Sequence, residues 1–187
     1  MGTKKIVANL ALAGCALALL VQPVWSQTPS VGSTAPDFRL ETLEGEEVSL
    51  TALRAEGPVV LIQLRGFFST EYQCPYCTAQ VGEFMNRIRD FQAASANIVA
   101  VYPGPADGLE ERAEDFIRGE ILPENFYFVL DPGFQFTNRY ELRWDAPNQT
   151  AHPATFLVDQ AGIVRYAKIS DGVADRAGAD AILDLLE

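Results

Sequence analysis

Residues 59–102 read VVLIQLRGFFSTEYQCPYCTAQVGEFMNRIRDFQAASANIVAVY, and this stretch decides the fold. It begins with a run at 59–64 that is apolar except for Gln63 and ends with an apolar run at 98–102. Such runs are typical of strands that are buried on both faces. Between them, over 77–94, apolar residues recur at helical spacing. The stretch therefore predicts a β-α-β unit with two parallel strands.

The flanking segments add strands and helices to this unit. Two short strand-like runs flank Glu44-Gly45 and predict an N-terminal β-hairpin. The remaining patterns predict a helix at 109–118, a strand at 126–130, a short helix at 134–140, a hairpin at 155–158 and 163–169, and a closing helix at 175–186. We therefore expect an α/β protein with a central mixed sheet and helices on both faces.

Composition limits the classes of partner. The chain has 187 residues, of which 48% are hydrophobic and 21% charged, so we expect one globular domain. Its net charge of −11 argues against nucleic acid and anionic membrane surfaces as partners, because both are negatively charged. Three cysteines are too few for a disulfide scaffold.

The first 26 residues have the pattern of a signal peptide. Lys4 and Lys5 precede a mostly apolar stretch at 6–21, and Val24-Trp25-Ser26 is a plausible cleavage site. We expect residues 27–33 to be a linker and 34–187 the folded domain, exported to a periplasmic or extracellular compartment. In the alternative, Leu12-Ala13-Gly14-Cys15 is a lipobox, and lipidation at Cys15 would anchor the protein to a membrane.

The pair Cys74-Pro75-Tyr76-Cys77 follows a buried strand and opens the amphipathic helix, which is a strong redox signal. The free N–H groups and the positive dipole end of a helix N-terminus stabilise a thiolate at Cys74. Pro75 falls at the first helical position, where its missing N–H removes no helical hydrogen bond. Cys77 lies on the apolar face of the predicted helix, so we expect it to be the more buried sulfur. We therefore expect Cys74 to attack the substrate and Cys77 to resolve the mixed disulfide. A static disulfide is the alternative, but it would close a very small loop and stabilise little.

The single histidine stands beside a proline before the second hairpin, in Ala151-His152-Pro153-Ala154. If this loop approaches the cysteine end of the sheet, His152 can tune the Cys74 thiolate or relay a proton. A cis Pro153 would present backbone groups to a substrate chain. The alternative is an ordinary trans proline at the start of a strand.

Several of these motifs resemble the redoxin group, which is the alkyl hydroperoxide reductase and thiol-specific antioxidant (peroxiredoxin-like) family. The resemblance runs from VGSTAPDFRL at 31–40 through VVLIQL, CPYC and PATFLVD to Gly162, and is closest to members with Cys-Pro-x-Cys. It implies a thioredoxin-like fold and a redox-active Cys74–Cys77 pair, with Pro153 as the cis proline. Tyr76 and Pro75 would then lie at the substrate-binding surface, and the redox-active disulfide would be the only cofactor.

The sequence departs from typical peroxiredoxins at two places. The Pro-x-x-x-Thr-x-x-Cys pattern is absent whether one counts back from Cys74 or Cys77, and His152-Pro153 replaces the arginine that orients peroxide in that family. Loss of these donors weakens the case for peroxide polarisation. Exchange between a dithiol and a disulfide needs only two accessible sulfurs and a lowered pKa.

These observations favour an exported thiol-disulfide oxidoreductase that acts on a thiol- or disulfide-bearing protein or a small thiol. A thiol peroxidase is the first alternative, with Cys74 oxidised to a sulfenic acid. The second is a copper chaperone resembling the Sco type, with Cys74, Cys77 and His152 as ligands. The aromatic loop at 65–73 is either a docking face or, through Phe67 and Phe68, part of the core.

Overall fold

The structure is a computed structural model that describes residues 28–187. The predicted signal peptide and the lipobox at Cys15 lie outside the described residues. The structure describes residues 28–33 of the predicted linker. This segment lies against the folded domain, because the Gly32 N–H donates to the Val164 carbonyl at 2.8 Å.

Seven strands and six helices form the described chain. In order they are β1 (Arg39–Thr42), β2 (Glu47–Ser49), α1 (Leu50–Glu56), β3 (Val59–Gln63), α2 (Pro75–Asn86), α3 (Ile88–Ala93), β4 (Asn97–Gly104), α4 (Leu109–Phe116), β5 (Phe126–Pro132), α5 (Gln135–Arg139), β6 (Ala154–Val158), β7 (Val164–Ile169) and α6 (Ala179–Leu183).

The strands form one mixed sheet in the order β2-β1-β5-β4-β3-β6-β7. Strands β3, β4 and β5 are parallel, with Leu61 opposite Val99 in the first pair. Strand β6 runs antiparallel to β3 and pairs with β7 in the closing hairpin, while β1 joins the N-terminal hairpin to β5. The predicted β-α-β unit, both hairpins and the mixed sheet are therefore confirmed.

Hydrophobic cores cover both faces of the sheet, because the side chains of β3 alternate between them. Val60 and Ile62 face α2, α3, α4 and α6, together with both cysteines. Val59 and Leu61 face α1 and α5. All five residues of β3 are buried, as its almost entirely apolar run predicts, including its one polar residue, Gln63. The expected arrangement, with helices on both faces of a mixed sheet, is thus confirmed.

Two helices differ from the sequence prediction. The single helix expected over 77–94 is divided at Arg87, whose ψ of 15° ends α2 and whose side chain pairs with Asp90 and Asp180. The closing helix expected over 175–186 begins only at Ala179, after Gly178. The segment before it stays irregular because its polar groups are used elsewhere, as described below.

In the part of the chain that the structure describes, none of the helices has both the length and the apolar character needed to cross a membrane.

Candidate active site

Both cysteines lie at the start of α2, directly beyond the end of β3. Cys74 is the N-cap and Pro75 the first helical residue. The backbone N–H groups of Cys77 and Thr78 both donate to the Cys74 carbonyl at 3.1 Å, which begins the helical turn. A residue at this position faces free N–H groups and the positive end of the helix dipole, so an anion is favoured at its side chain.

Cys74 is the more acidic thiol of the pair. A hydrogen bond from the Cys77 side chain is the largest cause that lowers the pKa of Cys74, from 9.0 to about 6. Burial opposes this shift, and backbone N–H groups and the positive charge of Arg176 support it. At neutral pH, Cys74 in the reduced protein is therefore mostly thiolate, which is the nucleophilic form.

Cys77 behaves in the opposite way. Burial, followed by its hydrogen bond to Cys74, raises the pKa of Cys77 well above its ordinary value. Both cysteines are buried, at 0% exposure for Cys77 and 2% for Cys74, so the difference between them lies in their pKa values and not in their exposure. Cys77 holds a proton and donates it toward the Cys74 thiolate, an arrangement compatible with the predicted division into an attacking and a resolving sulfur.

The end of β3 supplies a second donor to Cys77. The backbone N–H of Arg65 lies 3.3 Å from its Sγ. Directly afterwards the chain turns at Gly66, which has φ of 72° and packs so closely that a Cβ would lie 2.0 Å from the Pro103 carbonyl oxygen. Only glycine fits both conditions without displacing β4, so this turn fixes the donor at Cys77.

The loop at 65–73 is held on both sides. The Arg65 guanidinium donates to Gln149 Oε1 at 2.9 Å and lies 3.6 Å above the Phe68 ring. At the other end, Gln73 Oε1 accepts a hydrogen bond from the Tyr102 hydroxyl at 3.0 Å. The loop is therefore fixed to both a neighbouring loop and the central strand β4.

The aromatic side chains of this region divide into two groups. Phe67 and Phe68 are partly buried and pack against the core. Tyr72 is 67% exposed and Tyr76 is 45% exposed. This favours the second of the two interpretations from the sequence, in which the phenylalanines belong to the core and only the tyrosines face solvent.

Sequence reasoning missed Arg176, which lies between β7 and α6. Its Nη2 is 3.4 Å from Cys77 Sγ and 3.7 Å from Cys74 Sγ. The contact joins residues 99 positions apart, and no local motif surrounds Arg176. The expected helix over 175–186 also placed it in an ordinary first turn, so the sequence carried no signal for this contact.

Gln80, one turn beyond Cys77 in α2, positions Arg176. Its Oε1 accepts from Arg176 Nη1 at 3.1 Å, and its Nε2 donates to Thr155 Oγ1 and to the Ala177 carbonyl, both at 3.2 Å. The side chain is buried and fully bonded. The helix that carries the cysteines is thereby connected to both β6 and the C-terminal segment.

His152 and Pro153 do not have the surroundings that the sequence suggested. The His152 ring stacks on Trp144 with centroids 4.6 Å apart, and within residues 28–187 it makes no hydrogen bond with either cysteine. Its predicted influence on Cys74 therefore stays a prediction without a contact behind it.

The expectation of a cis Pro153 is wrong, since no cis peptide bond occurs among the described residues. Pro153 instead continues the β6–β7 pairing, because its carbonyl accepts from the Ser170 N–H at 2.8 Å. This extended position suits a trans proline at the start of a strand.

The structure does not bring together the three ligands of the copper alternative. Nowhere in residues 28–187 do three His, Cys, Asp or Glu side chains come together as a set that could hold a metal ion. Cys74 and Cys77 are adjacent, but the ring of His152 lies against Trp144, so the third expected ligand is missing from the group.

Comparison with known proteins gives a consistent result. The family model described as the AhpC/TSA family matches residues 31–167. The thiol-disulfide oxidoreductase ResA of Geobacillus thermodenitrificans is 34% identical over 138 residues, which span 73% of this chain and 67% of that protein. Peroxiredoxin Q of rice (Oryza sativa subsp. japonica, chloroplastic) is 27% identical over 137 residues, but the match spans only 58% of that protein.

Solved structures show the same fold. Peroxidoxin BcpB from Mycobacterium tuberculosis has a TM-score of 0.64 and 21% identity, with 84% of this chain and 96% of that one covered. A yeast mitochondrial 1-Cys peroxiredoxin has a TM-score of 0.66 and 16% identity, with 84% and 74% covered. The predicted thioredoxin-like fold is thus confirmed.

Proposed function

Because the chain belongs to the AhpC/TSA family, we propose that it is a thiol-dependent oxidoreductase in which Cys74 is the nucleophile and Cys77 the resolving thiol. One observation carries this proposal: the two sulfurs lie together at a helix N-terminus, and their pKa values move in opposite directions. A pair of thiols that only filled space in the core would need no such difference.

The reaction that this pair supports best is exchange with a disulfide. The Cys74 thiolate attacks one sulfur of the substrate disulfide and forms a mixed disulfide, and the other substrate sulfur leaves as a thiolate that takes a proton. Cys77 then loses its proton and attacks Cys74 Sγ. The products are the Cys74–Cys77 disulfide and a second substrate thiol, so the protein gives two electrons and two protons to the substrate.

Disulfide exchange is preferred over peroxide reduction for a specific reason. The position before β6, where the family has its peroxide-orienting arginine, holds His152-Pro153. Exchange requires no such donor at the substrate. The relative ResA is named a thiol-disulfide oxidoreductase. Its match has a higher identity than that of rice peroxiredoxin Q, 34% against 27%, and covers more of the relative's own length, 67% against 58%.

Insulin is a suitable probe substrate, because its disulfides are reduced with a visible change in turbidity. We expect catalytic amounts of the protein to accelerate this reduction by dithiothreitol. Cys74→Ser should return the rate to the uncatalysed level, and Cys77→Ser should accumulate a mixed disulfide at Cys74. Full activity in Cys74→Ser, or no acceleration by the unaltered protein, would reject the proposal.

A peroxidase is the second candidate, supported by the relatives named peroxiredoxin. Here the Cys74 thiolate would attack one peroxide oxygen, the O–O bond would break, and the other oxygen would leave as water or an alcohol. The resulting sulfenic acid would condense with Cys77 and release water. Thiol loss within seconds of adding one equivalent of hydrogen peroxide would favour this candidate, whereas loss at the rate of a free thiol would reject it.

The proposed location is outside the cytoplasm, on the basis of residues 1–26 alone. The two alternatives differ in the N-terminus of the mature protein. Cleavage before Gln27 leaves Gln27 as the first residue, and a lipoprotein begins with lipidated Cys15. Mass spectrometry of the protein recovered from bacterial periplasm and from membranes distinguishes them, and an intact Met1 terminus in the cytoplasm alone would contradict export.

A further inference from the structure

We propose that Arg176 is a catalytic residue whose guanidinium stabilises the negative charge on Cys74 before the first exchange step and on Cys77 during the second. This inference rests on the proposed function. It identifies a group from the C-terminal segment, and no part of the cysteine motif or of the matched family region contains it.

The position of the guanidinium is the first argument. A single nitrogen, Nη2, lies 3.7 Å from Cys74 Sγ and 3.4 Å from Cys77 Sγ. These are hydrogen-bonding distances to sulfur, which is larger than oxygen, and the same group therefore serves both sulfurs without changing its place. Hydrogen bonds to an ionised partner are stronger than those between neutral groups.

The guanidinium is also held rigidly. Nε donates to the Val173 carbonyl at 2.9 Å, and Nη1 donates to Gln80 Oε1 at 3.1 Å. Gln80 is buried and fixed in turn by Thr155 and Ala177. An arginine side chain that is already held in place loses little conformational entropy when an anion forms beside it. Little of its electrostatic attraction for the thiolate is therefore offset by that loss.

No carboxylate is paired directly with this guanidinium. In residues 28–187, Arg176 forms no ion pair. The adjacent Asp175 interacts with its charge at longer range but pairs with Lys168 at 2.7 Å. A part-buried cation without a paired carboxylate is well compensated by an anion that the site itself produces. The Cys74 thiolate is that anion at neutral pH.

The two exchange steps need this donor at different sulfurs. In the first step the negative charge leaves Cys74 as its sulfur bonds to the substrate. In the second, Cys77 must lose its proton although burial raises its pKa, and the new charge forms 3.4 Å from Nη2 and 3.3 Å from the Arg65 N–H. These two donors lower the cost of an otherwise unfavourable thiolate.

Among residues 28–187, two other titratable groups act near the pair. They are Tyr102 from β4, whose pKa is raised by burial so that it stays neutral, and Arg112 from α4, which acts on Tyr102. The contribution from the end of β3 is the uncharged N–H of Arg65. A change in the titration of Cys74 on substitution of Arg176 can therefore be assigned to the guanidinium.

The test compares Arg176→Met and Arg176→Lys with the unaltered protein. Arg165→Met, an exposed arginine on β7, is the matched control. Two quantities are measured: the pH dependence of alkylation by iodoacetamide at Cys74, followed by peptide mass spectrometry, and the rate at which Cys77 resolves a Cys74–glutathione mixed disulfide. Chemical unfolding of each variant reports any structural effect separately.

Arg176→Met should raise the midpoint of Cys74 alkylation by about one pH unit and slow resolution roughly tenfold, which is the usual effect of losing one hydrogen bond to a charged group. Arg176→Lys should restore part of both effects because it keeps the charge. A midpoint and a resolution rate within about twofold of the Arg165→Met control would overturn the inference.

Failure of the proposed function would look different. If the unaltered protein does not reduce insulin, the functional proposal is rejected, yet the alkylation midpoint still reports whether Arg176 acts on Cys74. If the protein does reduce insulin and Arg176→Met only lowers the stability to unfolding, with the midpoint unmoved, Arg176 is structural and the inference is wrong.

Discussion

Gln80 Oε1 accepts a hydrogen bond from Arg176 Nη1 at 3.1 Å, so the helix that carries the two cysteines also fixes the guanidinium that contacts them. The distance between the sulfurs and the guanidinium thus depends on how the C-terminal segment is attached to α2. This arrangement leads to the first of four predictions.

Gln80→Leu should both destabilise the protein and raise the pKa of Cys74. The substitution leaves buried groups on Thr155 and Ala177 without a partner, at a cost of about 1–3 kcal/mol. It also releases one side of Arg176. Urea unfolding and the alkylation midpoint measure the two effects. Gln92→Leu, on the exposed face of α3, is the control, and an equal response in both variants would contradict the prediction.

The stability of the reduced protein should depend on pH through Cys74. Its pKa is about 6 when folded and near the ordinary 9.0 when unfolded, so the folded state favours the thiolate. The stabilisation is fully present above 9.0, decreases as the pH falls, and is lost as the pH falls through about 6. The difference in unfolding free energy between the unaltered protein and Cys74→Ser should therefore grow with pH by a few kcal/mol.

A flat difference across this range would show that Cys74 titrates normally. The measurement must be made under reducing conditions, because the disulfide form has no thiol to titrate. Cys77→Ser provides a second check. It removes the hydrogen bond that contributes most to the low pKa, so the inflection for Cys74 should move upward in that variant.

Asp131→Ala should be among the most destabilising single substitutions. The buried Asp131 carboxylate accepts three hydrogen bonds, from the Phe136 and Thr137 N–H groups at 2.8 and 2.9 Å and from Thr137 Oγ1 at 2.6 Å. They hold the start of α5 against the end of β5. Loss of these bonds should cost about 3 kcal/mol or more in urea unfolding.

Asp145→Ala is the matched control for this substitution, because Asp145 is exposed and forms only a long ion pair with Arg143. We expect this control to change the unfolding free energy by less than about 0.5 kcal/mol. Similar losses in the two variants would show that the carboxylate at 131 has no special structural role.

His152→Ala should shift the alkylation midpoint of Cys74 by less than Arg176→Met does. The imidazole stacks on Trp144, and no hydrogen bond connects it to either sulfur within the described chain. The comparison decides between the histidine that the sequence suggested and the arginine that the structure places at the pair. A larger shift from the histidine variant would restore its predicted tuning role.

Much of the fold was accessible from the sequence because its signals are local. The run at 59–64 becomes β3, buried throughout, and the run at 98–102 becomes most of β4. The cysteine pair could be placed at a helix N-terminus because Pro75 favours the first helical position. Each of these inferences needed only residues adjacent in sequence and one known preference of a residue type for a structural position.

The rest depended on contacts that no local pattern encodes. Arg176 reaches the site from a segment that sequence reasoning assigned to a helix. The segment stays irregular because the Ala177 carbonyl bonds to Gln80 and the Ala179 N–H bonds to Glu83 Oε1. Likewise, the ring of His152 stacks on Trp144, eight positions earlier, and no sequence pattern pairs these two residues.

The origin of Arg176 in the C-terminal segment bears on how members of this family diverge. The family match ends at residue 167, nine positions before the arginine. A relative that ended after β7 would keep the sheet, the cysteine pair and its family assignment, yet lack the guanidinium. The part of the Cys74 acidity that the guanidinium supplies is therefore separable from the cysteine motif, although the hydrogen bond from Cys77 within that motif supplies the largest part. Exchanging short tails between relatives would be a direct way to alter their reactivity while leaving the catalytic helix intact.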